Sequence, residues 1–216
     1  MSRIVVFGAG GRAGRRVVAE AVSRGHQVTA VVRDTATYAA LAGDQVTVVR
    51  GDVTDADSVA AVAAGHDAAV QAAYQSGLPV DEYFSRAARA LVEGLGQAGV
   101  GRLVVVGIGT NLEVAPGVMV HDTPNFPAEG RIFSLGHVAE LEVLRNADTT
   151  VDWVVLAPPP AVLDHEAERT GRYRTGGAQV LPSEQGAPAF SYADLAVALI
   201  DEIENPKHHR SLVAVG

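Results

Sequence analysis

The fold follows from the stretch Ile4-Val5-Val6-Phe7-Gly8-Ala9-Gly10-Gly11-Arg12-Ala13-Gly14-Arg15-Arg16-Val17-Val18, near the start of the chain. Residues 4–7 form a short apolar run rich in β-branched side chains, which predicts a strand buried on both faces. Glycines end that run, and apolar residues then recur with helical spacing at positions 17, 18, 21 and 22. The sequence therefore predicts a strand, a tight glycine turn and a helix.

A glycine turn that leads into a helix is a site for an anion. The first-turn amides of a helix have no partner within it, and its dipole adds partial positive charge there. The spacing fits G-x-x-G-x-x-G through Gly8, Gly11 and Gly14, and also G-x-G-x-x-A through Gly8, Gly10 and Ala13. Placement between a strand and a helix favours dinucleotide binding over a turn that serves packing alone.

Composition limits the classes of protein that the chain can belong to. Its 216 residues and 48% hydrophobic content predict a single domain with a sizeable core. A net charge of −8 argues against a nucleic-acid partner. The absence of cysteine excludes disulfides and thiolate sites. No apolar run approaches the ~20 residues of a membrane span, and the first strand begins at once, so we expect neither membrane contact nor a signal peptide, and a cytoplasmic location.

The rest of the chain alternates between strands and helices, which predicts an α/β fold with a doubly wound parallel sheet over residues 1–216. The expected strands after the first are 27–32, 45–50, 66–72, 102–106, 151–157 and 211–215, and the later helices are 37–42, 56–64, 79–98, 127–146 and 192–204.

Two segments interrupt this alternation. The connection 112–127 is long and proline-rich, which is typical of a functional loop. Residues 158–190 lack a helical period and are expected to form a small substrate-side lobe. Within them we predict a hairpin whose arms are Arg169–Arg174 and Gln179–Leu181. Its arginines either contact an acidic ligand or are solvated.

The end of the second predicted strand bears on the choice of dinucleotide. Arginine at this place accommodates the 2′-phosphate of NADP, whereas an acidic residue binds the ribose hydroxyls of NAD. Arg33 comes first and Arg12 lies in the glycine turn, so two guanidinium groups favour NADP(H) over NAD(H), although Asp34 suits a ribose diol. Asp52 and Val53, after the third strand, are candidates for adenine contacts, and Asp52 serves a turn equally well.

These motifs together resemble the atypical short-chain dehydrogenase/reductase group, in particular its NAD(P)H-binding, NmrA-like and flavin- or biliverdin-reductase-like branch. The resemblance extends through 156–159, 168–173 and 192–199. It implies a Rossmann-type sheet of order 3-2-1-4-5-6-7 with NADP across its carboxyl edge. The cofactor contacts that it implies are Gly8, Gly11, Arg12, Ala13, Gly14, Arg33, Asp52, Val53, Ala72, Ala73, Gly107, Ile108 and Gly109. We also expect contacts from Gly10, Tyr74 and Pro158.

Catalysis by the usual means of that superfamily is not expected. Most members pair tyrosine with lysine four residues later, but the one lysine here is Lys207, and no tyrosine precedes it at that spacing. The candidates that remain near the nicotinamide are His137, as a proton donor, and Thr110, as a hydrogen-bond donor to a ligand oxygen. Their structural alternatives are a histidine bound to a backbone carbonyl and a threonine that caps a turn. Histidine spacing predicts no metal site.

Two functions fit this pattern. The first is an NADP(H)-dependent reductase that passes hydride to a flavin, quinone or similar small acceptor, which can take its proton from solvent. The second is a non-catalytic NADP(H)-binding redox sensor of the NmrA-like type. Either is expected as a monomer or homodimer.

Overall fold

The structure, a computed structural model, describes residues 1–75, 77, 79–161, 163, 167–182 and 189–216. The strands are β1 (Arg3–Phe7), β2 (Gln27–Val32), β3 (Val46–Arg50), β4 (Ala68–Gln71), β5 (Arg102–Val106), β6 (Glu113–Ala115), β7 (Val118–Met119), β8 (Asp152–Ala157) and β9 (Ser211–Ala214). The α-helices are α1 (Arg12–Ser23), α2 (Ala56–Ala63), α3 (Val80–Ala98), α4 (Ala128–Asn146) and α5 (Tyr192–Glu204).

The main sheet confirms the predicted topology. Its seven strands lie in the order β3-β2-β1-β4-β5-β8-β9, and the neighbouring strands run parallel. Since β8 and β9 are the sixth and seventh strands of this sheet, the order is the expected 3-2-1-4-5-6-7. Parallel strands end at one edge, so the segments after β1, β2, β4, β5 and β8 meet there.

Side chains of the central strand alternate between two cores. Val5 and Phe7 pack on the face covered by α2, α3 and α4, while Ile4 and Val6 pack on the face covered by α1 and α5. A strand with apolar residues on both faces must be covered on both, which explains the continuous apolar run in the sequence. Trp153, the one tryptophan of the sequence, packs in the core and is 1% exposed.

The ends of the helices follow the capping rules. Gly25 follows α1 with a φ of 82°, in the left-handed region that favours glycine. Asp55 caps α2 by accepting a hydrogen bond from Ser58 N, and Ser191 caps α5 by accepting one from Asp194 N. The predicted helix at 37–42 is only a 3₁₀ turn at Ala39–Leu41.

The predicted hairpin in the C-terminal half is wrong. Arg174 N donates to Gly216 O and Thr175 bridges Val215, so the first arm lies beside the end of β9. Gln179 in the second arm bridges Glu113 of β6 instead. The long connection 112–127 contains the antiparallel pair β6-β7. The separate lobe at 158–190 stays a prediction, and its residues 162, 164–166 and 183–188 lie outside the described residues.

Polar contacts attach residues 169–171 to the helices α1 and α5, which cover one face of the sheet. The guanidinium of Arg169 donates twice to the buried carboxylate of Glu20 in α1, at 2.8 and 2.9 Å. The backbone amides of Thr170 and Gly171 both donate to Asp194 Oδ1 in α5, at 2.9 and 2.8 Å. These contacts hold the segment close to α1 and α5.

Candidate functional site

The glycine turn is pressed against the ends of its neighbouring strands. Gly8 N and Ala9 N both donate to Val31 O, and Gly11 N donates to Gly8 O. Gly8 has a φ of 76°, and a Cβ there would stand 2.5 Å from Ala73 Cα. The turn can pass this close to the end of β4 only because Gly8 has no side chain.

The start of α1 fits an anion. Its N-cap is Gly11, which is exposed and has no side chain to cap the helix, and the first turn contains no acidic residue. Among the described residues, the amides of Arg12 and Ala13 have no hydrogen-bond acceptor. Unsatisfied amides at a helix N-terminus favour a phosphate, so these residues fit the pyrophosphate of a dinucleotide.

Gly14 has a different role from Gly11, the exposed glycine at the start of α1. It is buried, and a Cβ there would overlap Gly8 O and stand 2.8 Å from Ala9 Cα. Its missing side chain therefore lets α1 pack closely against the strand that precedes it, as the third glycine of a dinucleotide-binding turn does.

A cleft of about 160 Å³ lies over the turn, and we call it the glycine cleft. The structure brings nine predicted cofactor contacts into its lining: Gly8, Gly10, Gly11, Arg33, Asp52, Val53, Ala72, Ala73 and Tyr74. Arg12, Ala13 and Gly14 are not in this lining, because they form the first turn of α1 beside it.

Tyr38 is a lining residue that the sequence analysis missed. A Cβ on Gly10 would lie 2.6 Å from Tyr38 Cζ, so the ring covers that glycine. Arg15 lies beside both, since its Nε donates to Gly10 O at 2.9 Å and its guanidinium lies 5.7 Å from the ring centroid. A tyrosine ring so close to the glycine turn is a candidate wall for an adenosine group.

The two acidic residues near the cleft are engaged in their own turns. Asp34 accepts hydrogen bonds from Ala36 N at 3.0 Å and Thr37 Oγ1 at 2.6 Å. These hydrogen bonds hold the pKa of Asp34 below its usual value, and the bond from the Thr37 hydroxyl has the largest effect. Asp52 accepts from the amide and hydroxyl of Thr54, at 2.8 and 2.7 Å. Of the neighbours Arg33 and Asp34 after β2, Asp34 is bound within its own turn, which makes Arg33 the better candidate for a ligand contact.

A second cavity of about 640 Å³, which we call the aromatic cavity, adjoins the first. Ala72, Ala73 and Tyr74 line both, so the two cavities meet where β4 ends. Six further predicted site residues line the aromatic cavity: Gly107, Ile108, Gly109, Thr110, His137 and Pro158. Its apolar wall includes Phe84, Phe126 and Phe133, which sequence reasoning did not assign to a site.

The rings in this wall contact one another. Tyr74, 46% exposed, is stacked on Phe84 at 5.7 Å between centroids and meets Phe133 edge-on at 5.1 Å. The His137 ring lies 3.9 Å from Phe84 and 5.1 Å from Phe133. The cavity thus offers flat apolar surfaces to a planar ligand.

Both predicted catalytic residues have polar partners in this cavity. His137 Nδ1 lies 2.9 Å from Glu140 Oε2, so its partner is a carboxylate rather than the backbone carbonyl considered above. Thr110 Oγ1 lies 2.7 Å from Ser134 Oγ, which in turn donates to Gly130 O at 2.8 Å. With the serine proton given to Gly130, the Thr110 hydroxyl is the donor to Ser134, and its oxygen is left as an acceptor.

Two further polar groups stand behind this wall. Tyr83 is 2% exposed, and burial first, then the charge of Glu140, raises the pKa of its phenol, which keeps it protonated. Asn111 Oδ1 is buried with no hydrogen-bond partner in the described part of the chain. It borders a small cavity of about 10 Å³ that His137 and Glu140 also line, a size that suits one water molecule.

In the ranges that the structure describes, no group of three or more histidine, cysteine, aspartate or glutamate side chains is placed to hold a metal ion. No helix in those ranges is both long and apolar enough to cross a membrane.

Comparison with known proteins gives one family and several relatives. The model of the NAD(P)H-binding family matches residues 8–206. Protein YwnB of Bacillus subtilis (strain 168) is 34% identical over 210 residues, which are 95% of this chain and 94% of that protein. Two solved structures, each with a TM-score of 0.83, match the whole chain. One, a candidate exported protein of Burkholderia pseudomallei, is 36% identical and covered completely. The other, SP1627 of Streptococcus pneumoniae TIGR4, a candidate NADH-flavin reductase, is 27% identical and 99% covered.

Proposed function

We propose that this chain, which belongs to the NAD(P)H-binding family, is an NADP(H)-dependent reductase that passes hydride to a planar, apolar acceptor such as a flavin or quinone. One observation carries the proposal: a glycine cleft suited to a dinucleotide and an aromatic cavity suited to a flat acceptor meet at Ala72–Tyr74. Hydride transfer needs the two reacting rings to lie face to face, and two adjoining cavities support the proposal because they are compatible with that arrangement.

The cofactor half of the proposal is supported by chemistry at both ends of the cleft. The uncapped amides of Arg12 and Ala13 suit the pyrophosphate, and Gly11 lets it approach the backbone. Arg33 lies in the lining, where a guanidinium is suited to a 2′-phosphate, while the Asp34 carboxylate is held by Ala36 and Thr37. These contacts favour NADP(H) over NAD(H).

The acceptor half is supported by the wall of the aromatic cavity. Rings of Tyr74, Phe84 and Phe133 provide stacking surface, and His137 provides one polar group among them. The match to SP1627, a candidate NADH-flavin reductase, agrees with an acceptor of this kind. The missing Tyr-x-x-x-Lys pair argues against alcohol or sugar epimerase chemistry by the usual route.

When bound, the reduced nicotinamide supplies the hydride, and the chain's own residues orient the partners. The turn at Gly8–Gly11 and the end of β4 hold the cofactor against the sheet edge. The aromatic rings exclude water from the acceptor and fix its plane. His137, with its ring held between Phe84 and Phe133, is the proposed proton donor, and Thr110 is proposed as a polar contact for the acceptor.

The test is turnover with NADPH and a panel of flavins and quinones, followed by loss of the absorbance of reduced nicotinamide. Gly11→Val places a β-branched side chain at the exposed helix start and should reduce turnover by at least about 100-fold, since it removes close phosphate contact worth several charge-assisted hydrogen bonds. Gly96→Val, where a Cβ has nothing within 4 Å, is the matched control. Equal loss in both variants would contradict the assigned site.

The same assay, combined with a direct titration of NADPH binding, separates the two functions drawn from the sequence. Tight NADPH binding without turnover on any acceptor would refute the reductase and support a redox sensor. Absence of binding would refute both. The cytoplasmic location expected from the sequence stays a prediction, since one similar structure is that of a candidate exported protein.

A further inference from the structure

A buried, hydrogen-bonded pair of side chains lies in the wall of the aromatic cavity. His137 and Glu140 are one helical turn apart on α4, with 7% and 2% of their surfaces exposed. The 2.9 Å contact between His137 Nδ1 and Glu140 Oε2 is the one hydrogen bond that Glu140 makes in the described part of the chain. A buried carboxylate with a single partner requires a donor there, so Nδ1 carries a proton.

The second ring nitrogen of His137, Nε2, has different surroundings from Nδ1. Across the described residues, His137 Nε2 makes no hydrogen bond, and the residue lines the aromatic cavity. The ring is held in place by Phe84 on one side and Phe133 on another. A ring fixed in plane, with its rear nitrogen bound to a carboxylate, leaves Nε2 as the atom that a ligand can reach.

The other polar groups nearby are poorly suited to give up a proton. The hydroxyl hydrogen of Thr110 is directed to Ser134. Tyr83 approaches from α3, and burial keeps its phenol protonated, with its pKa raised further by the charge of Glu140. In the described part of the chain Glu140 is the acidic residue that contacts His137, and its carboxylate holds the ring by accepting the hydrogen bond from Nδ1.

We propose that Glu140 is a positioning residue that makes His137 Nε2 the proton donor to a neutral, carbonyl-bearing acceptor of the quinone type. This rests on the proposed function and departs from the expectation that solvent alone supplies the proton. His137 takes a proton from solvent at Nε2 and gives it to the acceptor oxygen. A quinone, one hydride from reduced nicotinamide and one proton from His137 then balance to a hydroquinone and oxidised cofactor.

The test compares two acceptors that differ in their need for a proton. Menadione needs a hydride and a proton, whereas the methylene blue cation becomes its neutral reduced form by taking hydride alone. His137→Gln should lower kcat with menadione by about 100-fold, the lower range for general acid catalysis. Glu140→Gln keeps an acceptor oxygen for Nδ1 but removes the charge. This variant should lower kcat with menadione by about tenfold. In both variants the methylene blue rate should fall by much less than the menadione rate, because methylene blue takes no proton.

Glu142→Gln, an exposed change on the same helix, is the control and should leave both rates unchanged. A second measurement needs neither cofactor nor acceptor: nitrogen NMR shifts of the His137 ring. The parent and Glu140→Gln should show the Nδ1–H tautomer, and Glu140→Ala should shift the ring toward Nε2–H, the form that free imidazole side chains prefer.

The outcomes separate this inference from the proposed function. Equal loss of both rates in His137→Gln and Glu140→Gln, or no loss with menadione, would overturn the proton-donor role while the reductase function stands. An unchanged tautomer in Glu140→Ala would overturn the positioning role. Failure of the parent protein to reduce either acceptor would refute the reductase, and the proton donor with it.

Discussion

Arg33→Ala tests the cofactor assignment at a place where the structure offers two competing residues. Arg33 directly follows β2 and lines the glycine cleft. The neighbouring Asp34 accepts hydrogen bonds from Ala36 and Thr37. If Arg33 holds a 2′-phosphate, its removal must weaken NADPH binding and leave NADH binding unchanged, because NADH has a hydroxyl at that position.

The size of the effect follows from the kind of contact and its exposure. A hydrogen bond to a charged group contributes about 1.5–3 kcal/mol to binding when it is well formed. Arg33 is exposed, so solvent screening places its contribution near the lower end. A loss of about 1.4 kcal/mol is a tenfold rise in Kd. We therefore expect about a tenfold weaker NADPH complex, and a change in Kd for NADH of less than about twofold.

Isothermal titration calorimetry with both cofactors measures this directly. Arg50→Ala is the control, since Arg50 is exposed at the end of the neighbouring strand β3 but does not line the cleft. An unchanged ratio of NADPH to NADH affinity in Arg33→Ala would refute the phosphate assignment. A selective loss of NADH affinity in Asp34→Ala would show that the carboxylate leaves its turn to bind the ribose, and that NAD(H) is the cofactor.

Two further predictions concern stability. Gly14→Ala should lower Tm by roughly 4–8 °C, because its Cβ overlaps backbone and overpacking costs about 2 kcal/mol, whereas Gly96→Ala, in open space, should not lower it. Hydrogen bonds from Arg169 chiefly hold the Glu20 pKa below 4.5. The unfolded chain therefore binds that proton first as pH falls, and stability present above about pH 4.5 is lost below it. Arg169→Ala should flatten this loss in thermal melts from about pH 5 to pH 3.

The glycine turn, the sheet and the residues at its carboxyl edge were predictable because their signals are local. A strand, a turn and a helix within fifteen residues place Gly8, Gly11 and Gly14 without any knowledge of distant contacts. Once the sheet is known to be parallel, the residues that follow its strands must share one edge. This explains why Arg33, Ala73 and the others line one cleft although they are far apart in sequence.

The predicted hairpin failed because its partners are distant. Residues 174 and 175 pair near the C-terminus, and Gln179 pairs with Glu113. Short irregular strands carry little alternation, and nothing local in them selects a partner, so nearness in sequence was the wrong guide. The same limit applies to Glu140, whose spacing of three from His137 fits an ordinary surface pair until burial of both residues is known.

The two halves of the site consequently depend on different parts of the chain. The glycine cleft is lined by the backbone of the glycine turn together with side chains such as Arg33 and Tyr38. The aromatic cavity is lined by side chains on α3, α4 and the segments after β5 and β8, and three of them, Phe84, Phe133 and His137, do not line the glycine cleft. Because Ala72–Tyr74 are the only described residues that line both cavities, we expect that acceptor preference can vary while the cofactor stays the same. A family-level match therefore identifies the dinucleotide class, and the acceptor has to be found from the aromatic wall.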